Sequence, residues 1–289
     1  MLRLACLSTI TIANLAACGS APVAPTAPPN VPNGGPVASA RFGIGPPLVT
    51  PGERMSYRLQ LQGMELATYD FAIGEQTVVG GKQAITVQSH AKATGLARMV
   101  AKVDDYFTSW IDLETGRPLR WTTDEFASKG DDKERTDARF FERANDLVPV
   151  DFHLNDAPPA PEPQHVSLPD VWDYNAFLVA LRTWDAPAGS TITAEVMRSR
   201  FMWHVEMKVK GKTQLVTAIG DFPAIQLEGH TFKVDRQNQP LGDPPRDFSV
   251  WISDDDGRVP LQNVAKTDYG DIKLEITDYA PGTGARVRP

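Results

Sequence analysis

Residues 247–266 read DFSVWISDDDGRVPLQNVAK, and their pattern sets the fold class. Residues 247–253 and 259–266 are strand-like runs. Between them, Asp254-Asp255-Asp256-Gly257 is a hairpin turn of the Asp-Gly kind. Tyr269-Gly270-Asp271 turns the chain again. Ile272-Lys273-Leu274-Glu275-Ile276 then alternates apolar and polar residues, the period of a half-buried strand.

The same pattern runs back along the chain. Residues 55–61 alternate, Gln62-Gly63 turns, and 64–73 returns with Leu66, Tyr69 and Phe71 as core candidates. Gly80-Gly81 separates a run at 77–79 from its return at 84–89. Strands are expected at 105–112, 119–126 and 135–143, with turns at 114–117 and 129–132. A proline cluster at 155–163 interrupts the meander. Val171, Tyr174, Leu178 and Leu181 then recur at helical spacing. Residues 167–170 offer the cap, and 182–184 the end. Strands resume at 191–197, 201–209, 214–219 and 224–234, with Lys210-Gly211-Lys212 as a turn.

Ahead of this domain, Met1-Leu2-Arg3 carries one positive charge and 4–17 is mostly apolar. That run is too short to span a bilayer, which takes about 20 residues, and has the shape of a secretion signal. It ends in Leu15-Ala16-Ala17-Cys18, which resembles a bacterial lipobox. The expected organisation is a signal peptide over 1–17, a lipidated Cys18 and a proline-rich tether over 18–41. A single mainly β domain over 42–279 and a disordered tail over 280–289 follow. Stretched as polyproline II, the tether would reach about 70 Å. Cys6 lies in the removed segment, so the two cysteines provide neither a disulfide nor a metal site. Gly19 stands where an aspartate retains enterobacterial lipoproteins at the inner membrane, so the expected location is the periplasmic face of the outer membrane. The formal charge is -7 and becomes about -8 without Arg3. That excludes a nucleic-acid partner, which calls for basic patches.

Three pieces resemble one bacterial envelope family, domain of unknown function 3108. Pro51-Gly52-Glu53-Arg54-Met55-Ser56-Tyr57 resembles its opening strand, G-E-x-L-x-Y. Asp173, Ala176, Val179 and Arg182 fall at the spacing of its helix pattern, D-x-x-S-x-x-Y-x-x-R, with alanine and valine replacing the serine and tyrosine. Trp251, Ser253, Asp255, Arg258 and Pro260 match its closing hairpin, W-x-S-x-D-x-x-R-x-P. The resemblance implies an exported protein with a curved antiparallel sheet or open β-barrel wrapped around one main α-helix. Its outline is similar to that of lipoprotein-localisation carriers, which hold acyl chains. It implies no activity.

The residues themselves point to architecture rather than catalysis. The five histidines do not pair at metal-ligand spacing, and no nucleophile elbow, S-x-x-K or phosphate loop occurs. Asp254-Asp255-Asp256 lacks the acid spacing of a calcium loop and reads as a turn. Asp173 and Arg182 are too far apart to pair along a helix, so each is expected to bond to surrounding strands or loops. Arg258 is expected to pack over Trp251. Strand aromatics such as Tyr69, Trp203 and Trp251 could line a cavity. No cofactor, metal or catalytic residue is expected. The leading expectation is a non-enzymatic, lipid-anchored protein that binds a hydrophobic small molecule, lipid or acyl chain in a cavity of the sheet. The alternative is an envelope scaffold or assembly factor that contacts a protein partner.

Overall fold

The computed structural model describes residues 41–99, 102–126, 132–242 and 244–288. Cys18, the signal segment and nearly all of the tether lie outside the described residues.

The strands, in chain order, are β1 (Arg54–Leu61), β2 (Met64–Val79), β3 (Lys82–Ala93), β4 (Asp104–Asp112), β5 (Pro118–Phe126), β6 (Lys133–Arg139), β7 (Leu147–Val148), β8 (Val150–Leu154), β9 (Ala160–Pro161) and β10 (Gln164–His165). Then come β11 (Val171–Asp173), the helix α1 (Tyr174–Thr183), β12 (Thr191–Arg198), β13 (Phe201–Thr217), β14 (Gly220–Lys233), β15 (Arg246–Ser253), β16 (Pro260–Thr267) and β17 (Gly270–Ala280). All but β7 and β10 join one sheet, ordered β11-β12-β13-β14-β15-β16-β17-β1-β2-β3-β4-β5-β6-β8-β9. The two halves of the chain meet where β17 pairs with β1. The sheet stays open, with β11 and β9 at its edges. Every pairing in it is antiparallel except β11 with β12.

Alternation along the strands puts one face inward. In β1, Met55, Tyr57 and Leu59 are buried; in β5, Leu119, Trp121, Thr123 and Glu125 are. Bulges, such as those between Ser56 and Tyr57 and between Leu59 and Gln60, bend the strands around the core. Gly211 marks another. The expected turn at 210–212 is instead a register shift within the 17-residue β13, where Gly211 takes φ +132°. The true turn follows Thr217, whose hydroxyl donates to the Gly220 carbonyl at 2.8 Å.

The helix fills the concave face. Its cap is Asp173, which accepts from the Ala176 amide at 2.8 Å. The expected cap at 167–170 lies too early because Val171–Asp173 first pairs with Glu195–Met197 as a parallel strand. Ala176 and Val179, at the family's serine and tyrosine positions, are fully buried as plain apolar contacts. Phe42 packs edge-on against Trp172, Phe177 and Trp184, with centroids 5.3 to 5.9 Å apart, and so seals one end of the helix–sheet core.

The end of the chain differs from its expected disorder. Beyond Ala280, the Gly284 amide donates to the Pro51 carbonyl at 3.1 Å and the Val287 amide to Val49 at 3.0 Å. Gly282 permits this approach, since a Cβ there would sit 2.5 Å from the Pro51 oxygen.

Candidate functional site

Two guanidinium regions flank the helix, and they are built differently. The first unites the three motif pieces. Glu53, ahead of β1, receives Arg182 of α1 in a bidentate pair, Nη1 to Oε2 at 3.0 Å and Nη2 to Oε1 at 2.8 Å. Arg182 also donates from Nε and Nη2 to the Gly257 carbonyl, in the β15–β16 turn, at 3.2 and 2.8 Å. Tyr279 of β17 donates to Glu53 at 3.1 Å. Burial, then the Glu53 carboxylate, pushes the Tyr279 hydroxyl up to about 12. This clamp ties the opening strand, the helix and the closing hairpin together.

The remaining motif residues are also structural. Asp173 Oδ1 accepts from Ser109 on β4 at 2.5 Å, and burial pushes its carboxyl up to about 7 despite that bond and the one from Ala176. Ser253 donates to Asp255 and accepts from the Val259 amide, both at 2.8 Å. Asp255 also accepts from the Gly257 and Arg258 amides, which makes the acidic run a self-bonded turn. The Pro260 carbonyl accepts from the Tyr57 hydroxyl at 2.9 Å. Trp251 packs half-buried against the core, while Arg258 turns away from it and pairs with Asp185 at 3.1 Å. The expected stacking of Arg258 on Trp251 is thereby replaced by an ion pair, because the turn points the guanidinium toward the end of α1. Among the described residues no cluster of three His, Cys, Asp or Glu side chains is arranged to hold a metal.

The second region is a cavity that no motif marks. One lobe is lined by Leu59, Tyr69, Phe107, Trp121, Ile272 and Leu274, with Asp105, Glu125 and Arg198 among them. It holds about 780 Å³ of empty space, its open mouth included. A second lobe of about 570 Å³ runs along Phe177, Leu178, Val196, Trp203 and Val250. Tyr174, Arg198 and Asn263 line both. The volume that admits the centre of a water molecule is only about 60 Å³ in each, so both are narrow slots. Asn175 fixes the helix end beside them. It accepts from Ser89 at 2.8 Å and from Tyr69 at 3.5 Å and donates to the Val87 carbonyl at 3.4 Å.

Three charged residues reach this cavity from the same inward rows that build the core. Asp105 precedes Phe107, Ser109 and Ile111 on β4; Glu125 follows Leu119, Trp121 and Thr123 on β5; Arg198 follows Ile192, Ala194 and Val196 on β12. Burial pushes Asp105 up to about 8, although the Phe126 amide donates to it at 2.9 Å. Burial likewise raises Glu125, against a 2.7 Å bond from Ser199. Asp105 therefore favours its neutral form near pH 7. Burial also weakens the hold of Arg198 on its proton, yet an arginine keeps its charge in proteins. Its guanidinium makes no ion pair or hydrogen bond with any described residue and lies 5.6 Å from the Tyr174 ring centre. The cavity thus presents a cation without a direct ion pair where two apolar slots meet, in the field of Glu125 and Asp105.

The matching of the opening strand, helix and closing hairpin extends to a whole-domain profile, that of "Protein of unknown function (DUF3108)", over residues 54–277. The chain belongs to this family. No curated protein matches the sequence. Among solved structures, the beta-barrel-like protein of domain of unknown function DUF1849 from Brucella abortus is similar in fold, with a TM-score of 0.53 at 9% identity. The match covers 81% of this chain and 99% of that one. Looser matches, both at TM-score 0.37, are a provisionally described exported protein with a YmcC-like fold from Bacteroides fragilis and a provisionally described lipoprotein from Parabacteroides distasonis. Their identities are 4% and 6%, over 82% and 83% of this chain and 99% and 100% of theirs. The DUF3108 chain shares a β-barrel-like architecture with the Brucella protein while its own sheet remains open.

Proposed function

We propose that this DUF3108 protein is a lipid-anchored, non-enzymatic protein of the bacterial envelope that binds an apolar ligand, a lipid or acyl chain, between its helix and sheet. The observation that carries the reading is the pair of apolar slots that meet at Tyr174 under the helix. Concave, mostly apolar sites with few polar groups are the usual form of a small-molecule pocket. The Leu15-Ala16-Ala17-Cys18 stretch supports a tether to the periplasmic face of the outer membrane.

Native mass spectrometry with lipid extraction, on a soluble form beginning near Ala40, tests the ligand. The expected result is a reproducible added mass that extracts as lipid. A clean unliganded mass would count against it and favour the scaffold reading. The anchor is tested by Cys18→Ser, which is expected to release the protein from membranes or leave an uncleaved precursor; unchanged processing and retention would refute it.

A further inference from the structure

Arg198 ends the inward row of β12 with intermediate exposure, lines both slots and makes no ion pair or hydrogen bond with a described residue. The Tyr174 ring lies 5.6 Å from its charge, and Glu125 and Asp105 act on it through their field alone. Asp105 and Glu125 line the same lobe, yet neither comes within ion-pair distance of it. Their oxygens are instead engaged by the Phe126 amide and the Ser199 hydroxyl. The junction of the two hydrocarbon-lined slots thus offers guanidinium donors that no described residue takes up.

We infer that the site takes a single-chain carboxylic acid, a fatty-acid-like monoanion, with its carboxylate on Arg198 and its chain in a slot. This rests on the reading of the slots as an apolar ligand site and adds the chemistry of the headgroup. A carboxylate matches one guanidinium in charge and in bidentate shape. A phosphate monoester carries about -1.5 to -2 at neutral pH and would leave excess negative charge beside Asp105 and Glu125. The narrowness of the slots favours one chain over the paired tails of a phospholipid.

The test uses the full-length chain in a non-ionic detergent at pH 7.5, with palmitate, hexadecanol and hexadecyl phosphate as probes. Their chains are equal in length, so detergent competition largely cancels in the ratios of their dissociation constants. Palmitate is expected to bind at least about tenfold tighter than hexadecanol, since a charge-assisted pair is lost in the alcohol. Arg198→Gln should abolish that preference while hexadecanol still binds, and Arg198→Lys should keep part of it. Equal affinity of the wild-type protein for palmitate and hexadecanol would overturn the headgroup assignment and leave the apolar site standing. A preference that survives Arg198→Gln would overturn the role of Arg198. Tighter binding of hexadecyl phosphate than of palmitate would overturn the carboxylate. Binding of none of the three would remove the apolar-ligand reading itself. Should Arg198→Gln fail to fold, the wild-type ratios and Arg198→Lys still decide.

Discussion

Arg182 and Arg198 are guanidiniums within one curved sheet, and their surroundings are opposite. Arg182, 4% accessible, has Glu53 as a bidentate partner and the Gly257 carbonyl as a second acceptor. Arg198, less buried, has an aromatic face nearby and no acceptor among the described residues. A charge whose partners come from three distant stretches of chain fixes architecture. A charge left without partners beside empty space is a place for something else to bind. The completeness of the hydrogen bonding separates these roles.

Breaking the clamp gives the largest expected effect. Arg182→Met leaves Glu53 buried with only the neutral Tyr279 hydroxyl and Thr50 amide as described donors, and removing one partner of a buried pair costs about 3–5 kcal/mol. Urea unfolding should show that loss as a lower midpoint. Replacing both partners, Arg182→Met with Glu53→Leu, should recover much of it, because two well-packed apolar side chains leave no orphaned charge. A single-variant loss below about 1 kcal/mol would mean that the clamp does not hold the three pieces together.

The cavity should reveal itself through pH. Burial raises Asp105 to about 8 and Asp173 to about 7 and also raises Glu125, so the folded chain binds these protons more tightly than the unfolded one. Their contribution is complete below the ordinary carboxyl range near pH 4 and is lost as pH rises through those folded values. His204, raised first by its bond to the Glu195 carboxylate, shifts stability the same way. Glu195 acts in the opposite sense. Burial would raise it, but His204 Nε2 at 3.0 Å and the Ser167 and Leu168 amides at 2.9 to 3.1 Å outweigh burial and hold it at about 2. Its contribution is present above its ordinary value and lost as pH falls through 2. Stability should therefore peak at about pH 4 to 4.5 and fall as pH rises from there. Asp105→Asn, which keeps an oxygen for the Phe126 amide, should reduce the fall between pH 5 and 8 by up to about 3 kcal/mol. Calorimetric Tm values at pH 5, 6.5 and 8 measure this, and an unchanged slope would show that Asp105 is not a buried acid. A smaller loss, about 1–2 kcal/mol, is expected for Asp173→Ala, which removes the helix cap and strands the Ser109 hydroxyl.

The contrast between the two arginines was half legible in the sequence. Period-two alternation and Gly-rich turns locate the hairpins, because strands with one inward face must write that face into their residues. The pattern around Gly211 misleads because a glycine flanked by polar residues suits a turn and a bulge equally, and only pairing with β14 separates them. The helix cap is misplaced because β11 pairs with β12, a long-range contact that local spacing does not carry. Spacing does single out Asp173 and Arg182, but Arg182's partners Glu53 and Gly257 are joined by folding alone. Arg198, Asp105 and Glu125 left a readable trace: each continues an apolar inward row with a charge. That trace becomes a site only when three separate strands run out at the same place, a matter of sheet order rather than of any local pattern.

The smallest predicted effect is the most discriminating. Arg198→Met keeps an unbranched side chain against Tyr174 and deletes a partly exposed cation that has no ion pair or hydrogen bond among the described residues. The ligand-free protein should stay within about 1 kcal/mol of the wild type, since no partner is stranded by the change. The same chemical change at Arg182 is expected to cost several times that amount. Parallel urea unfolding of the two variants reads the difference directly. If Arg198→Met destabilises the empty protein as much as Arg182→Met, Arg198 is held by contacts of its own, and the distinction between a fastening charge and a waiting one fails. If only Arg182→Met destabilises the fold, the donors of Arg198 are left free for an anion that enters the cavity.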